Sequence, residues 1–307
     1  MAGLRTGRGP GHEDVDPAVL RKVIVMADPA YCRPERIEEV AALLVETGGR
    51  PLAGATDLLV QMRGRDASTF SFVDINGLGS LGEVTALPDG GVVIGATVRL
   101  SDLRTHPLCY PYPALLEGAA SVGSVQVRNR ATLVGNACNA SPAADTAPGL
   151  LVYEATANVV GPAGRRSIAF EDFWLGPGQT ALGHGEWVES ITFPPPARHG
   201  GAYLKLGRTN GVDLAIVGVA LYRTDVETRV AFASVAPTPI RARSLDELIG
   251  GAARLPANLS GAVGEAIAPI DDLRASARYR TAMAVVLVER AWALAGDRLA
   301  EENAGSR

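Results

Sequence analysis

Three consecutive prolines, Pro194, Pro195 and Pro196, are the most restrictive feature of this 307-residue chain. Proline has no amide hydrogen to donate and its ring fixes φ, so such a run can occupy neither a helix interior nor a central strand. The chain must break there. WVESITF leads up to the break and AYLKLGRTNGVDLAIVGVALYR follows it, so the prolines mark a boundary between two structural units. With 47% hydrophobic and 20% charged residues over this length, the composition supports a sizeable core on each side.

Before the break the pattern is mixed. PERIEEVAALLVETGG (34–49) has an early proline, early acids, apolar residues at helical spacing and a Gly-Gly stop, which predicts a helix. PLAG, FSFVDI (70–75) and GVVIGA (91–96) read as strands. RLSDLRTHP predicts a short helix capped by Ser101 and ended by Pro107, and YPALLEGAASVG (112–123) a second helix closed by Gly123. The polar stretch VQVRNRATLVGNACNASPAAD (125–145) is expected to adopt strand-turn geometry, and LLVYEATANVVGPAGRRSIAFEDF to form a β-hairpin around Gly161–Gly164. After the break, an antiparallel meander and a long amphipathic terminal helix give an α+β unit.

Several functions are excluded by what the chain lacks. The longest apolar runs, such as LAIVGVALY (214–222), fall short of the roughly 20 residues of a membrane span, so no membrane span is expected. Residues 1–22 contain glycines, prolines and acids where a signal peptide needs an apolar core, which predicts a disordered leader and a cytoplasmic protein. Cys32, Cys109 and Cys138 are scattered without a CxxC, and His12, His106, His184 and His199 form no metal or triad pattern. A net charge of −4 with mixed signs offers no stripe for nucleic acid.

Two phosphate-type motifs fail on context. Gly77, Gly79 and Gly82 have GxGxxG spacing, but Pro88 and Asp89-Gly90-Gly91 follow where the dinucleotide motif needs a helix, so strand, turn and strand is expected instead. GRPLAGAT (49–56) lacks the lysine of a P-loop. Two other loops suit an anion better. In LAGATDLLVQM, Gly54, Ala55 and Thr56 let backbone amides approach a phosphate at the head of an apolar helical run that starts with Asp57. In ATLVGNACNASPAAD, Thr132, Gly135 and Asn136 offer a hydroxyl, an unshielded backbone and an amide, with Asp145 placed to accept from a sugar hydroxyl. Each loop alone is equally well a tight turn with a helix cap; together they favour a diphosphate-containing cofactor.

The order AGATDL, IGATVRLSDL, HPLCYPYPALLEGAASVGSVQVRNRATLVGNACNASPAADTAPGLL, then GPGQTALGHGEWVESITFP and YLKLGRTNGVDLAIVGVAL, strongly resembles the FAD-binding medium subunits of the xanthine dehydrogenase and carbon monoxide dehydrogenase family of molybdenum hydroxylases. The resemblance runs from about Ala27 to the terminal helix. It implies an α+β chain: a two-lobed FAD-binding domain of vanillyl-alcohol-oxidase type at 23–197, with lobes at about 23–80 and 81–197, then a small C-terminal domain at 198–307. It also implies that Ala53, Gly54, Ala55, Thr56 and Asp57 face Thr132, Leu133, Val134, Gly135 and Asn136 across the FAD diphosphate. Asp145, assisted by Ser141, would meet ribose or ribityl hydroxyls, and Leu182 and Lys205 would approach the flavin ring; a solvated surface cation is the other reading of Lys205.

Relatives commonly carry Gly-Gly in both loops, whereas here Ala55 stands for the second glycine of the first and Val134 for the first glycine of the second, which predicts ordinary backbone conformations at both. No cysteine set for iron–sulfur clusters is present, so the resemblance implies partners: a molybdopterin large subunit and a [2Fe–2S] small subunit, with this chain passing electrons through FAD to a final acceptor. Arg128 and Arg130 are expected to brace their loop or face a partner. A stand-alone FAD-dependent oxidoreductase and a scaffold without cofactor are the rival readings.

Overall fold

The computed structural model describes residues 30–66, 70–209 and 211–305; the expected leader lies outside them. The chain opens with β1 (Tyr31–Cys32), α1 (Ile37–Thr47), β2 (Arg50–Leu52), α2 (Leu58–Gln61) and β3 (Phe72–Asp74). These strands form a parallel sheet in the order β1-β3-β2. Helix α1 covers it by burying Val40, Ala41, Leu43 and Leu44, the i, i+3, i+4 stripe of an amphipathic helix.

Two 3₁₀ turns cover the rejected glycine motif, Ile75–Gly77 and Gly79–Gly82. They lead into β4 (Val84–Ala86) and β5 (Val92–Gly95), the expected strand, turn and strand. Next come α3 (Leu100–Leu103), α4 (Pro113–Ser121), α5 (Val125–Arg128), α6 (Leu133–Cys138) and α7 (Ala147–Val152). Helix α3 is capped by Arg99, not by Ser101, which lies inside it. The stretch 125–145 is helical rather than strand-turn. Ser124 accepts from the Val127 amide and Thr132 from the Gly135 amide, so each opens a helix as an N-cap.

The hairpin β6 (Thr156–Gly161) and β7 (Gly164–Ala169) follows, its expected first residues having been claimed by α7. Short α8 (Phe170–Phe173), β8 (Trp174–Gly176) and β9 (Gln179–Thr180) precede β10 (Trp187–Phe193), which completes an antiparallel sheet ordered β4-β5-β10-β6-β7.

After the prolines, β11 (Gly200–Leu206), β12 (Val217–Arg223), β13 (Thr228–Ala233) and β14 (Ile240–Arg241) form the antiparallel meander, followed by α9 (Arg243–Ile249), α10 (Leu259–Ala266) and α11 (Ala277–Gly305). Both faces of this sheet are buried. Val217, Val219 and Leu221 share a core with α9, α10 and α11, whereas Ala220 and Tyr222 join the core of the preceding domain, as alternation along a strand requires. Gly200 permits the closest approach: a methyl group there would lie 1.7 Å from the Ala295 carbonyl oxygen of α11. At the junction His199 stacks on Tyr222, with ring centroids 4.4 Å apart, and its Nε2 lies 3.2 Å from the Tyr153 hydroxyl. No helix among the described residues is long and apolar enough to cross a membrane.

Candidate functional site

The parallel sheet delivers the first loop. Strand β2 ends at Leu52, and residues 53–57 pass from the sheet edge to α2. Asn76, immediately before the rejected glycine motif, anchors this crossing: its side-chain amide donates to the Leu52 and Ala53 carbonyls at 3.0 and 3.1 Å and to Asp74 Oδ1 at 2.7 Å. Asp74 also accepts from the Asn76 amide and the Tyr31 hydroxyl. Burial pushes the Asp74 carboxyl up, but these hydrogen bonds and the Arg33 charge outweigh it and hold the pKa below the ordinary aspartate value. A depressed folded pKa contributes stability above the unfolded value, near 4, that is lost as pH falls through the folded value. Denaturant midpoints should therefore drop between about pH 5 and pH 3 in the native chain, and more shallowly in Asp74→Asn.

The second loop meets the first directly. Gly54 packs on the backbone of Arg130 and Ala131, where a methyl group would lie 2.2 Å from the Arg130 carbonyl oxygen. Arg130 precedes the Thr132 cap of α6, so one contact sets the spacing of both loops. Arg128 braces the loop by donating to the Val122 and Gly123 carbonyls, each at 2.9 Å, while Arg130 is exposed.

Between the loops is a cavity of about 510 Å³, within the rough 300–1,000 Å³ range of small-molecule and cofactor sites. It brings together Ala53, Gly54, Ala55, Thr56, Asp57, Thr132, Val134, Gly135, Asn136 and Leu182. Among the described residues, the amides of Gly54, Ala55, Thr56 and Asp57 donate to no protein acceptor, leaving four successive donors on the wall. The second loop differs from its expected form. Gly135 donates its amide to Thr132 Oγ1 at 3.0 Å, so it is spent on the cap. The Asn136 side-chain oxygen accepts from Thr146 at 2.6 Å, which leaves its amide nitrogen and the Thr132 hydroxyl hydrogen as donors. Desolvation raises the Asp57 carboxyl above its ordinary value.

Ala55 overturns the expectation of ordinary backbone. Its φ is +61°, the left-handed region, whereas Val134 sits within α6. The surrounding loop contacts hold Ala55 there at a cost of about 1–2 kcal/mol, set against the greater freedom glycine would have when unfolded. Ala55→Gly is expected to stabilise the chain by roughly 0.5–1 kcal/mol in chemical denaturation. A less stable variant would contradict the left-handed assignment.

Four of the expected site residues do not line this cavity. Leu133 is fully buried in the core. Ser141 Oγ accepts from the Ala143 amide at 3.2 Å. Asp145 and Lys205 pair with each other, Lys205 Nζ to Asp145 Oδ2 at 2.8 Å, and Tyr203 donates to Asp145 Oδ1 at 2.7 Å. Lys205 also donates to the carbonyls of Ser121 and Asp213, so it is not a solvated surface cation. Burial raises the Asp145 carboxyl; the Lys205 charge and both hydrogen bonds oppose that rise.

Sequence reasoning missed Arg50, Gln61, Asn139, Glu186 and Trp187, all on the cavity wall. Gln61 donates to Asn139 Oδ1 at 2.8 Å, a link between α2 and the end of α6. Neither residue carries a local signal, because the bond joins positions far apart in the chain. The Trp187 indole nitrogen is buried without a hydrogen-bond partner. Cys138 is on the wall too, its thiol pushed up to about 12 by burial, so it is neutral near pH 7.

A family profile described as the FAD binding domain in molybdopterin dehydrogenase matches residues 25–196, and one described as the CO dehydrogenase flavoprotein C-terminal domain matches 202–295. The chain belongs to the molybdopterin dehydrogenase flavoprotein family. Within that flavoprotein family, it is 35% identical over 275 residues to the carbon monoxide dehydrogenase medium chain of Afipia carboxidovorans, covering 85% of this chain and 94% of that one. It is 32% identical over 289 residues to the xanthine dehydrogenase FAD-binding subunit of Escherichia coli O157:H7, covering 88% and 98%. A crystal structure of the Cu,Mo-CO dehydrogenase in its cyanide-inactivated form superposes with a TM-score of 0.82 at 32% identity, covering 90% of this chain and all of that one. The residues present fit the cofactor of this flavoprotein family: a concave wall, a run of unpartnered amides, and a loop spacing that only glycine at position 54 permits.

Proposed function

We propose that the chain is the FAD-binding subunit of a cytoplasmic molybdenum hydroxylase and passes electrons from the [2Fe–2S] small subunit to a final acceptor. The molybdopterin large subunit completes the assembly. The observation that carries this reading is the pair of loops closing on one cavity with four successive unpartnered amides at Gly54–Asp57. FAD, when bound, supplies the exchange of single electrons with iron–sulfur centres and of electron pairs with the acceptor.

The protein's share is binding and electrostatics. The first-loop amides, the Thr132 hydroxyl and the Asn136 side chain are placed to hold the diphosphate as backbone and side-chain donors, and Leu182 contributes an apolar wall. Asp145, Ser141 and Lys205 act behind the second loop, where the Asp145–Lys205 pair fixes a cation and its counter-charge together. This reading divides the chain near the three prolines, at 197/198, into the FAD-binding domain and a C-terminal domain that packs α4 and α7 against its sheet.

Flavin analysis of the purified chain tests it. The expected result is close to one FAD per chain, retained through gel filtration. A well-folded preparation that neither contains FAD nor takes it up would overturn the reading.

A further inference from the structure

Two acidic side chains, Asp57 and Glu186, belong to the wall of the cavity between the loops. Glu186 is fully engaged. Arg166 donates to both of its oxygens, at 2.8 and 2.7 Å, and the Gly183 amide donates to Oε2 at 2.6 Å. Asp57 is the opposite case: among the described residues its side chain makes no hydrogen bond and no ion pair. An aspartate just before a helix ordinarily accepts from the first amides of that helix. Here the Asp57 backbone is itself helical, at φ −92° and ψ −42°, and the cap is not made. The residue stays exposed, within reach of a ligand in the cavity.

This free carboxylate adjoins the anion-binding donors. Gly54, Ala55, Thr56 and Asp57 present their unpartnered amides, and Asp57 carries its charge at the end of that row. Beside a diphosphate alone, a carboxylate opposes binding by Coulomb repulsion. A nucleotide offers more than its diphosphate, because the neighbouring sugar carries hydroxyl donors that acidic side chains can accept. The ribose of an adenosine diphosphate has two, adjacent and on one face of the ring, which match the two oxygens of a carboxylate. Asp145, the acid expected for this task, is paired with Lys205 and does not line the cavity.

Resting on the function proposed above, we propose that the Asp57 carboxylate accepts hydrogen bonds from the ribose hydroxyls of the adenosine half of FAD and selects for them. The amides hold the diphosphate while the last side chain of the same loop holds the sugar. The hydroxyl protons offset the repulsion between the two anionic groups, so Asp57 favours a ligand that carries both hydroxyls and opposes one that lacks them.

The test titrates FAD into the full chain freed of flavin, then displaces it with ADP or with 2′,3′-dideoxy-ADP. Asp57→Asn keeps the shape of the side chain and removes its charge; it is expected to bind FAD about tenfold more weakly. The native chain is expected to prefer ADP over the dideoxy form by about tenfold or more, and Asp57→Ala to bind the two about equally. If Asp57→Ala does not fold, the same ratio in Asp57→Asn decides the matter, and it should fall well below the native one. Tighter FAD binding by Asp57→Asn would overturn the proposal, because it would show an unrelieved carboxylate facing the diphosphate. So would a native-sized preference for ADP in the variants, which would make any loss of FAD merely structural. A native chain that binds no FAD is a different result and counts against the underlying function instead.

Discussion

A Gly54→Ala chain is expected to fold and to lose most of its flavin. The added methyl would lie 2.2 Å from the Arg130 carbonyl oxygen, 2.8 Å from its carbon and 2.9 Å from the Ala131 Cα. All three are backbone atoms, so no side chain can rotate away. One loop must retreat, by roughly an ångström, with an overpacking cost of about 1–3 kcal/mol to the folded chain. The site suffers more than the fold, because the same displacement carries the Gly54–Asp57 amides away from the second loop. Losing one charge-assisted hydrogen bond to a diphosphate costs about 1.5–3 kcal/mol, so flavin should bind on the order of a hundredfold more weakly. Absorbance of the gel-filtered protein gives the stoichiometry, and circular dichroism checks the fold. Full flavin content with an unchanged melting temperature would show that the two loops are not in contact.

Lys205→Met is expected to damage stability rather than loop geometry. Its side chain is 14% exposed and that of Asp145 is 7% exposed, so the pair is largely out of water. Removing the cation leaves a buried carboxylate with the Tyr203 hydroxyl as its remaining hydrogen-bond donor, and breaking such a pair costs about 3–5 kcal/mol. The carbonyls of Ser121 and Asp213 lose their donor in the same substitution. The pH dependence identifies the cause. With Lys205 gone, desolvation drives the Asp145 pKa up further, and a raised folded pKa favours the protonated folded state. The deficit should therefore be smaller at pH 5 than at pH 8. Asp145→Asn combined with Lys205→Met should recover part of the loss at both values. A deficit under about 1 kcal/mol in urea denaturation, independent of pH, would mean that the pair is not structural.

Local features of this chain were legible wherever they depend on a few neighbouring residues. The apolar spacing and Gly-Gly stop of α1, the turn between β6 and β7, the meander and the long α11 all follow from periodicity and punctuation. The GxGxxG spacing at Gly77–Gly82 fails as a dinucleotide motif for the same kind of reason, and the chain runs there through 3₁₀ turns into a hairpin. The error over 125–145 was also local. Ser124 and Thr132 are helix caps, and the polar composition around them hid short helices whose stability comes from tertiary packing.

What the amino-acid sequence by itself determined is α1, the turn between β6 and β7, the meander and α11, the break at the three prolines, the family, and the two loops that face the cavity. Each rests on residue identities in a short window or on long ordered blocks. Only the tertiary structure decided that Ala55 takes a left-handed conformation, that Gln61 reaches Asn139, that Asn76 suspends the first loop, and that Asp145 spends its charge on Lys205. These pairings join positions 23 to 78 residues apart or depend on packing around a single peptide. Burial and mutual distance set their energies, and neither exists until the chain has folded.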